Sequence, residues 1–159
     1  MKNTIDFVTE IASTHNGNFK TIKFLSDKHL LTGSKYLKYQ IFKTNNLYSK
    51  SDSNYKIYKK IEITFKNWEK LIKKYSQKTK LILEPFDEES YKFCKRFKKK
   101  NFIKISTSET DNIELIKDAL KHFKKIFINL SGYKLEQIKT IIKFFEKKKY
   151  KKKIKFVLI

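Results

Sequence analysis

The chain has 159 residues, 38 Lys and Arg against 16 Asp and Glu, and a formal net charge of +22. A hydrophobic fraction of 40% with 14 Phe and 9 Tyr excludes a disordered chain and suffices for the core of one domain. The single cysteine, Cys94, excludes an internal disulfide framework and a CxxC metal site; there is neither a run of about 18 apolar residues nor an N-terminal signal-peptide core, so the expectation is a soluble cytoplasmic protein.

In chain order the pattern alternates short β-branched or aromatic runs with amphipathic stretches. A strand is predicted over residues 7–12 and a helix over 19–31. A second strand covers 36–42. The connection 44–63 is rich in Asn, Ser, Tyr and Lys, and one that long is usually functional or mobile. The next helix, 65–75, places Phe65, Trp68, Leu71, Ile72 and Tyr75 on one face at steps of three and four. A strand over 80–85 leads to Asp87-Glu88-Glu89-Ser90, which reads as a helix N-terminus with its acids on the favourable end of the dipole. The helix 88–97 holds Cys94 between Phe93 and Phe97, the setting of an inert core thiol.

The second half repeats the unit. A strand is predicted over 102–107. A helix follows over 112–122, with Asp111 as its cap and Glu114 completing a capping box. It buries Ile113, Leu115, Ile116, Ala119, Leu120 and Phe123. Strand 125–130 ends in a loop at Gly132. Helix 134–147 carries the stripe Leu135, Ile138, Ile141, Ile142 and Phe145. The run Lys147-Lys148-Lys149-Tyr150-Lys151-Lys152-Lys153 reads as a helix end and loop before a last strand over 154–159.

Strand, helix, strand in regular alternation is the signature of a parallel sheet. A doubly wound open sheet and a (β/α)₈ barrel both remain open, and in both the reactive residues lie at the C-terminal ends of strands. No GxGxxG or GxxxxGK[ST] follows the first strand, which weighs against a nucleotide-binding sheet. The charge invites a nucleic-acid or acidic-membrane surface. Arg96, however, is the only arginine, and bidentate base and phosphate readout favours arginine. Lys, Asn, Ile, Phe and Tyr all have AT-rich codons, so biased codon usage accounts for the lysines, which cover solvated helix faces.

Polar residues collect where strands end. Lys38 and Gln40 share one face of the second strand by two-residue alternation. Lys104 lies among Phe102, Ile103 and Ile105, where burial is costly unless the ammonium meets an anion. Two lysines from different strands can converge on a phosphate or carboxylate; alternatively each reaches solvent along its own stem. Glu10, embedded in Val8, Ile11 and Ala12, is a candidate sugar-hydroxyl acceptor, metal-shell ligand or acid/base, or a strand-end partner for a lysine. His15 before Asn16-Gly17 is a candidate acid/base or a loop-fixing histidine. Ser131 has no triad context.

In order and spacing these strand ends resemble the sialic acid synthase family. Glu10-Ile11-Ala12-Ser13-Thr14-His15-Asn16-Gly17-Asn18 resembles its E-I-G-x-N-H-x-G-D opening. Lys38-Tyr39-Gln40-Ile41-Phe42-Lys43 with Asn46-Leu47 is similar to K-F-Q-T-F-K and a following N-L. Glu84-Pro85-Phe86-Asp87-Glu88-Glu89-Ser90 resembles T-P-F-D-x-x-S, and Phe102-Ile103-Lys104-Ile105-Ser106-Thr107-Ser108-Glu109 with Asn112 resembles F-K-I-A-S-G-E and its following N. Ile128-Asn129-Leu130-Ser131-Gly132-Tyr133 is similar to I-L-S-T-G-M.

The resemblance implies a TIM barrel, incomplete at about six strands. Residues 1–159 form one partial synthase barrel lacking strands seven and eight and the family's antifreeze-like domain. It implies condensation of phosphoenolpyruvate with an N-acetylated amino sugar, such as N-acetylmannosamine, to a nine-carbon 2-keto acid. On that basis Lys38, Gln40, Lys104 and Thr107 face phosphoenolpyruvate, Glu10 and His15 are the catalytic candidates, and Glu109 faces the sugar. A divalent metal, Mn or Mg, is implied, with its usual ligands in the absent half of the barrel. Three departures bear on activity. Glu84 stands where the family has a phosphate-holding threonine, Leu130 where it has a serine, and Thr14 where it has an asparagine. The expectation is an inactive or truncated form. The alternatives are a half-barrel completed by a partner chain and a basic module for nucleic acid or membrane; a homodimer is a further arrangement the resemblance allows.

Overall fold

The computed structural model describes residues 6–145 and 153–157. Six strands form one sheet: β1 (Val8–Ile11), β2 (Tyr36–Ile41), β3 (Lys80–Pro85), β4 (Phe102–Ile105), β5 (Ile126–Asn129) and β6 (Ile154–Val157). Every neighbouring pair is parallel and the spatial order follows the chain, β1-β2-β3-β4-β5-β6. A doubly wound sheet reverses direction at a switch point. An unreversed order, each strand beside its predecessor, is the wall of a (β/α) barrel, and this resolves the choice the periodicity left open.

Seven helices lie among the described residues: α1 (Phe19–His29), α2 (Thr44–Leu47), α3 (Tyr55–Ile61), α4 (Phe65–Tyr75), α5 (Glu88–Lys95), α6 (Ile113–His122) and α7 (Leu135–Phe145). None is long and apolar enough to cross a membrane. The short α2 and α3 occupy the connection 44–63, where no helix is predicted. The helix end at 146–147, the lysine run through Lys152 and the last two residues of the sixth predicted strand lie outside the described residues.

Because strand side chains alternate, the pairing register divides the sheet into two faces. One carries Leu37, Tyr39, Ile41, Leu81, Leu83, Ile103, Ile105, Ile126 and Ile128. It packs under the helices in the main core, with Trp68, Leu71, Ile72, Tyr75, Ile116, Ala119 and Phe123. The α4 stripe is as predicted, with Trp68, Leu71, Ile72 and Tyr75 buried and Phe65 packed against the same core. Thr64 caps α4 by accepting from the Asn67 amide. Cys94 is fully buried, and burial pushes its thiol well above the ordinary range; it is core.

Three local expectations need correction. The cap of α6 is Asn112, whose Oδ1 accepts from Leu115 N at 3.0 Å, and Glu114 pairs with Lys117 at 2.7 Å where a capping box had been expected with Asp111. β4 ends at Ile105 because residues 107–109 curl into a 3₁₀ turn, closed by the Glu109 and Thr110 amides on the carbonyls of Ser106 and Thr107. Leu135, placed on the apolar stripe of α7, is 64% exposed; the first turn of α7 stands clear of the core that Phe145 enters.

Glu62 fastens the connection 44–63. Its Oε2 accepts from the Thr44 amide and meets Lys59 Nζ, both at 3.1 Å, while Oε1 meets Lys43 Nζ at 3.3 Å. Burial opposes its ionisation, but the Thr44 amide and the two ammonium groups prevail and hold its pKa down to about 2. The native carboxylate therefore binds its proton more weakly than the unfolded chain does. The stability this confers is complete above the ordinary value of 4.5 and is lost as pH falls toward about 2. Glu62→Gln is expected to cost about 2 to 3 kcal/mol at neutral pH and to flatten the acid limb of stability. Urea unfolding across that pH window measures both; an unaltered limb would contradict the assignment.

Candidate functional site

The second face of the sheet holds the polar strand residues. The register sets Glu10 beside Lys38, Gln40 beside Glu84, and Lys38 beside Ile82, with Lys104 two residues beyond Phe102, which pairs with Ile82. At the N-terminal end of this face Tyr36, Phe102 and Phe127 meet ring to ring, with centroids 5.9 to 6.4 Å apart. Tyr36 and Ile82 are buried there, apart from the helix-side core. The aromatic layer forms a floor, and the ionic residues stand above it at the C-terminal ends of the strands, where barrel enzymes place their chemistry.

Those residues form one connected group. Lys38 Nζ lies 2.7 Å from Glu10 Oε2 and 2.9 Å from Glu84 Oε2. Lys104 Nζ lies 2.7 Å from Glu84 Oε1. Gln40 Nε2 donates to Glu10 Oε1 at 2.8 Å and to Glu84 Oε2 at 3.4 Å. Lys38 is 4% exposed, Lys104 5% and Glu84 2%. Two ammonium groups and two carboxylates cancel in formal charge, the condition under which charges tolerate burial.

The two lysines respond differently to similar surroundings. Burial alone depresses Lys38, but its hydrogen bond to Glu10 and the charge of Glu84 outweigh this and leave its pKa raised. Burial also depresses Lys104; Glu84 offsets only part of it and the nearby Lys38 adds to it, so its pKa is lowered. Lys38 has two carboxylate partners and Lys104 has one, so Lys104 is the cation that depends on Glu84.

His15 is buried in the β1–α1 loop, its ring edge-on to Trp68 at 6.4 Å. Nδ1 accepts from the Gly17 amide at 3.0 Å, which assigns the ring proton to Nε2. Burial lowers its pKa, so the ring is neutral and holds the loop. Thr107 Oγ1 accepts from Asn129 Nδ2 at 2.7 Å, which ties the turn after β4 to the end of β5. Glu109 accepts from Asn112 Nδ2 at 3.0 Å and lines a 230 Å³ cavity with Pro85, Tyr91, Ile105 and Ser106. Glu10, Lys38, Gln40 and Lys104 are thus brought together, with Glu84 at their centre; Glu109 lies apart. Asp87 joins two elements: it caps α5 through the Ser90 amide and accepts from the Lys43 amide at 2.8 Å.

The divalent metal implied by the resemblance finds no ligand set here. Both oxygens of Glu10 are already engaged, by Lys38 and Gln40. Among the described residues no group of three or more His, Cys, Asp and Glu side chains is placed to hold a metal ion.

A sequential parallel wall with a buried ionic group at the C-terminal ends of its strands places the chain in the class of (β/α) barrels. The particular family follows from comparison with known proteins: the chain belongs to the NeuB family, whose sequence model matches residues 11–158. Among solved structures it is similar to an N-acetylneuraminic acid (sialic acid) synthetase from Leptospira borgpetersenii, solved with citrate, at 19% identity and a TM-score of 0.79 over 98% of this chain and 53% of that one. It is similar to a spore coat polysaccharide biosynthesis protein E from Chromobacterium violaceum, at 18% identity and a TM-score of 0.76 over 98% and 49%. A third, a spore coat polysaccharide biosynthesis protein from Bacillus subtilis, is 15% identical with a TM-score of 0.74 over 99% and 44%. The chain therefore spans about half the length of these structures. Comparison with curated protein sequences found no match.

Proposed function

We propose that the chain is the wall of a carbohydrate-biosynthesis synthase of the sialic acid synthase type that carries the phosphoenolpyruvate-facing lysines, in a form held inactive by its own carboxylate. The observation that carries this reading is Glu84, whose two oxygens span Lys38 and Lys104 at 2.9 and 2.7 Å. Two cations from neighbouring strands converge on one acid group, as they would on the phosphate or carboxylate of phosphoenolpyruvate. In this reading Gln40 supports the anion, Glu10 and the loop fixed by His15 face the acceptor sugar, and Thr107 borders the site from the turn after β4.

The same observation supports inactivity. A phosphate entering between the lysines meets the Glu84 carboxylate, and two like charges about 4 Å apart repel by several kcal/mol where water is scarce. Phosphoenolpyruvate then binds only by displacing Glu84, which leaves that carboxylate without its partners. The purified chain, incubated with phosphoenolpyruvate, N-acetylmannosamine and Mn²⁺, is expected to form no nine-carbon keto acid above the uncatalysed level by a periodate–thiobarbiturate assay. Steady formation that scales with protein concentration would overturn the inactive reading.

A further inference from the structure

At the opposite end of the sheet, where the chain enters β3 and β4, the C-terminal end of α4 and residues 96–101 enclose a groove of about 370 Å³, within the size range of small-molecule sites. Its lining includes Lys73, Arg96, Lys98, Lys99 and Lys100 and no carboxylate. Outside the lining, Glu69 is shared by Lys73 at 2.7 Å and Arg96 at 3.4 Å, which leaves the lining with an excess of positive charge. Lys98 turns to His122 Nδ1 at 3.3 Å, and no carboxylate pairs with Lys99 or Lys100 among the described residues.

Two further features give the groove more than charge. Arg96, the only arginine, lies over the rings of Phe93 and Phe97 at 5.5 and 5.7 Å, which fixes a planar guanidinium at the rim. Asn101 is 2% exposed; its Nδ2 donates to the Phe97 carbonyl, while its Oδ1 has no hydrogen-bond partner. A buried acceptor left unpaired is costly, and a donor that reaches it removes that cost. Cations select an anion, and the orphan acceptor selects an anion that also carries a donor.

We infer that this groove binds a small phosphate monoester bearing hydroxyl or amino donors, the chemistry shared by sugar phosphates and nucleotides. The site is separate from the ionic group at the other end of the strands and does not depend on the synthase reading. The test is titration calorimetry of the full chain with glucose 6-phosphate, AMP, inorganic phosphate and decathymidylate at two salt concentrations. The monoesters are expected to bind more tightly than inorganic phosphate, and the tighter of the two identifies the source. The double variant Lys99→Glu, Lys100→Glu is expected to weaken them about tenfold. The control Lys50→Glu, Lys56→Glu, with the same charge change at two exposed residues elsewhere, is expected to change affinity less than about twofold. Equal losses in the two double variants would reduce the groove to general polycation behaviour and overturn the site. Inorganic phosphate binding as tightly as the esters would overturn the role of Asn101. A preference for decathymidylate over both esters would overturn the small-ligand assignment.

Discussion

Glu84→Gln is expected to lower stability by about 3 to 5 kcal/mol, the usual cost of removing one partner from a buried ionic pair. For a chain of this size that corresponds to a melting temperature lower by about 10 °C. The loss falls on Lys104. Lys38 keeps Glu10 at 2.7 Å, whereas Glu84 is the carboxylate that pairs with Lys104, which is 5% exposed. The variant should therefore show a steeper pH dependence than the parent chain. Lys104 is already lowered by burial, and without Glu84 it is lowered further. The native state then binds fewer protons than the unfolded chain, so stability climbs as pH rises from the depressed native value toward 10.5. Added inorganic phosphate or phosphoenolpyruvate should restore part of the loss, because a ligand that binds only the folded state stabilises it by RT ln(1 + [L]/Kd). Lys104→Met provides the contrast: it removes the dependent cation, leaves Glu84 with Lys38 at 2.9 Å, and should cost about 1 to 2 kcal/mol with no response to phosphate. Scanning calorimetry with and without anion reads all of this. If Glu84→Gln melts with the parent chain and ignores phosphate, the carboxylate does not hold these lysines and the proposed inactivation loses its basis.

What the sequence discloses and withholds follows from the range of the interactions. Strand and helix identity rests on contacts within a few residues, which is why the α4 stripe and the β3 boundaries are readable directly. The family motifs lie at strand ends, so Lys38, Gln40 and Lys104 are legible as a set. The partner of the two lysines is less so. Glu84 is recognisable as a departure from the family pattern and as unfavourable to phosphate, but its bonds to both cations depend on the register across three strands, in which Lys38 pairs with Ile82 and reaches Glu84 one step along. Of the Glu62 clamp only Lys59, three residues earlier, is local; Lys43 and Thr44 precede it by 19 and 18 residues and leave no sign in the sequence. Helix α3 escapes notice for a similar reason: Asn54 makes no side-chain cap bond and none of its residues is buried, so it carries neither a start signal nor an apolar stripe. It is held by Tyr58, whose ring meets those of Phe42 and Tyr48, by the Tyr55 hydroxyl donating to Asn45 Oδ1, and by backbone contact with the β1–α1 loop at Gly17.

That contact makes Gly17→Ala the second large effect to expect, about 2 to 5 kcal/mol. Asn16 and Gly17 both have positive φ, 47° and 76°, and the turn is closed by the Asn16 amide on the Ser13 carbonyl, the Asn18 amide on the His15 carbonyl, and the Gly17 amide on His15 Nδ1. A side chain at a left-handed position costs about 1 to 2 kcal/mol by itself. At Gly17 a Cβ would also stand 2.1 Å from the Lys60 carbonyl oxygen, a backbone atom near the end of α3 that cannot rotate away. Overpacking of that kind adds about 1 to 3 kcal/mol. Gly33→Ala isolates the first cost, since Gly33 has a φ of 71° and nothing within 4 Å of its Cβ position. The two alanines should therefore differ by the steric share alone. Gly17→Ala should also move α3, loosening the Glu62 clamp that follows it, with faster hydrogen exchange in residues 55–62 and none of this in Gly33→Ala. Equal destabilisation by the two substitutions would show that the β1–α1 loop does not brace α3.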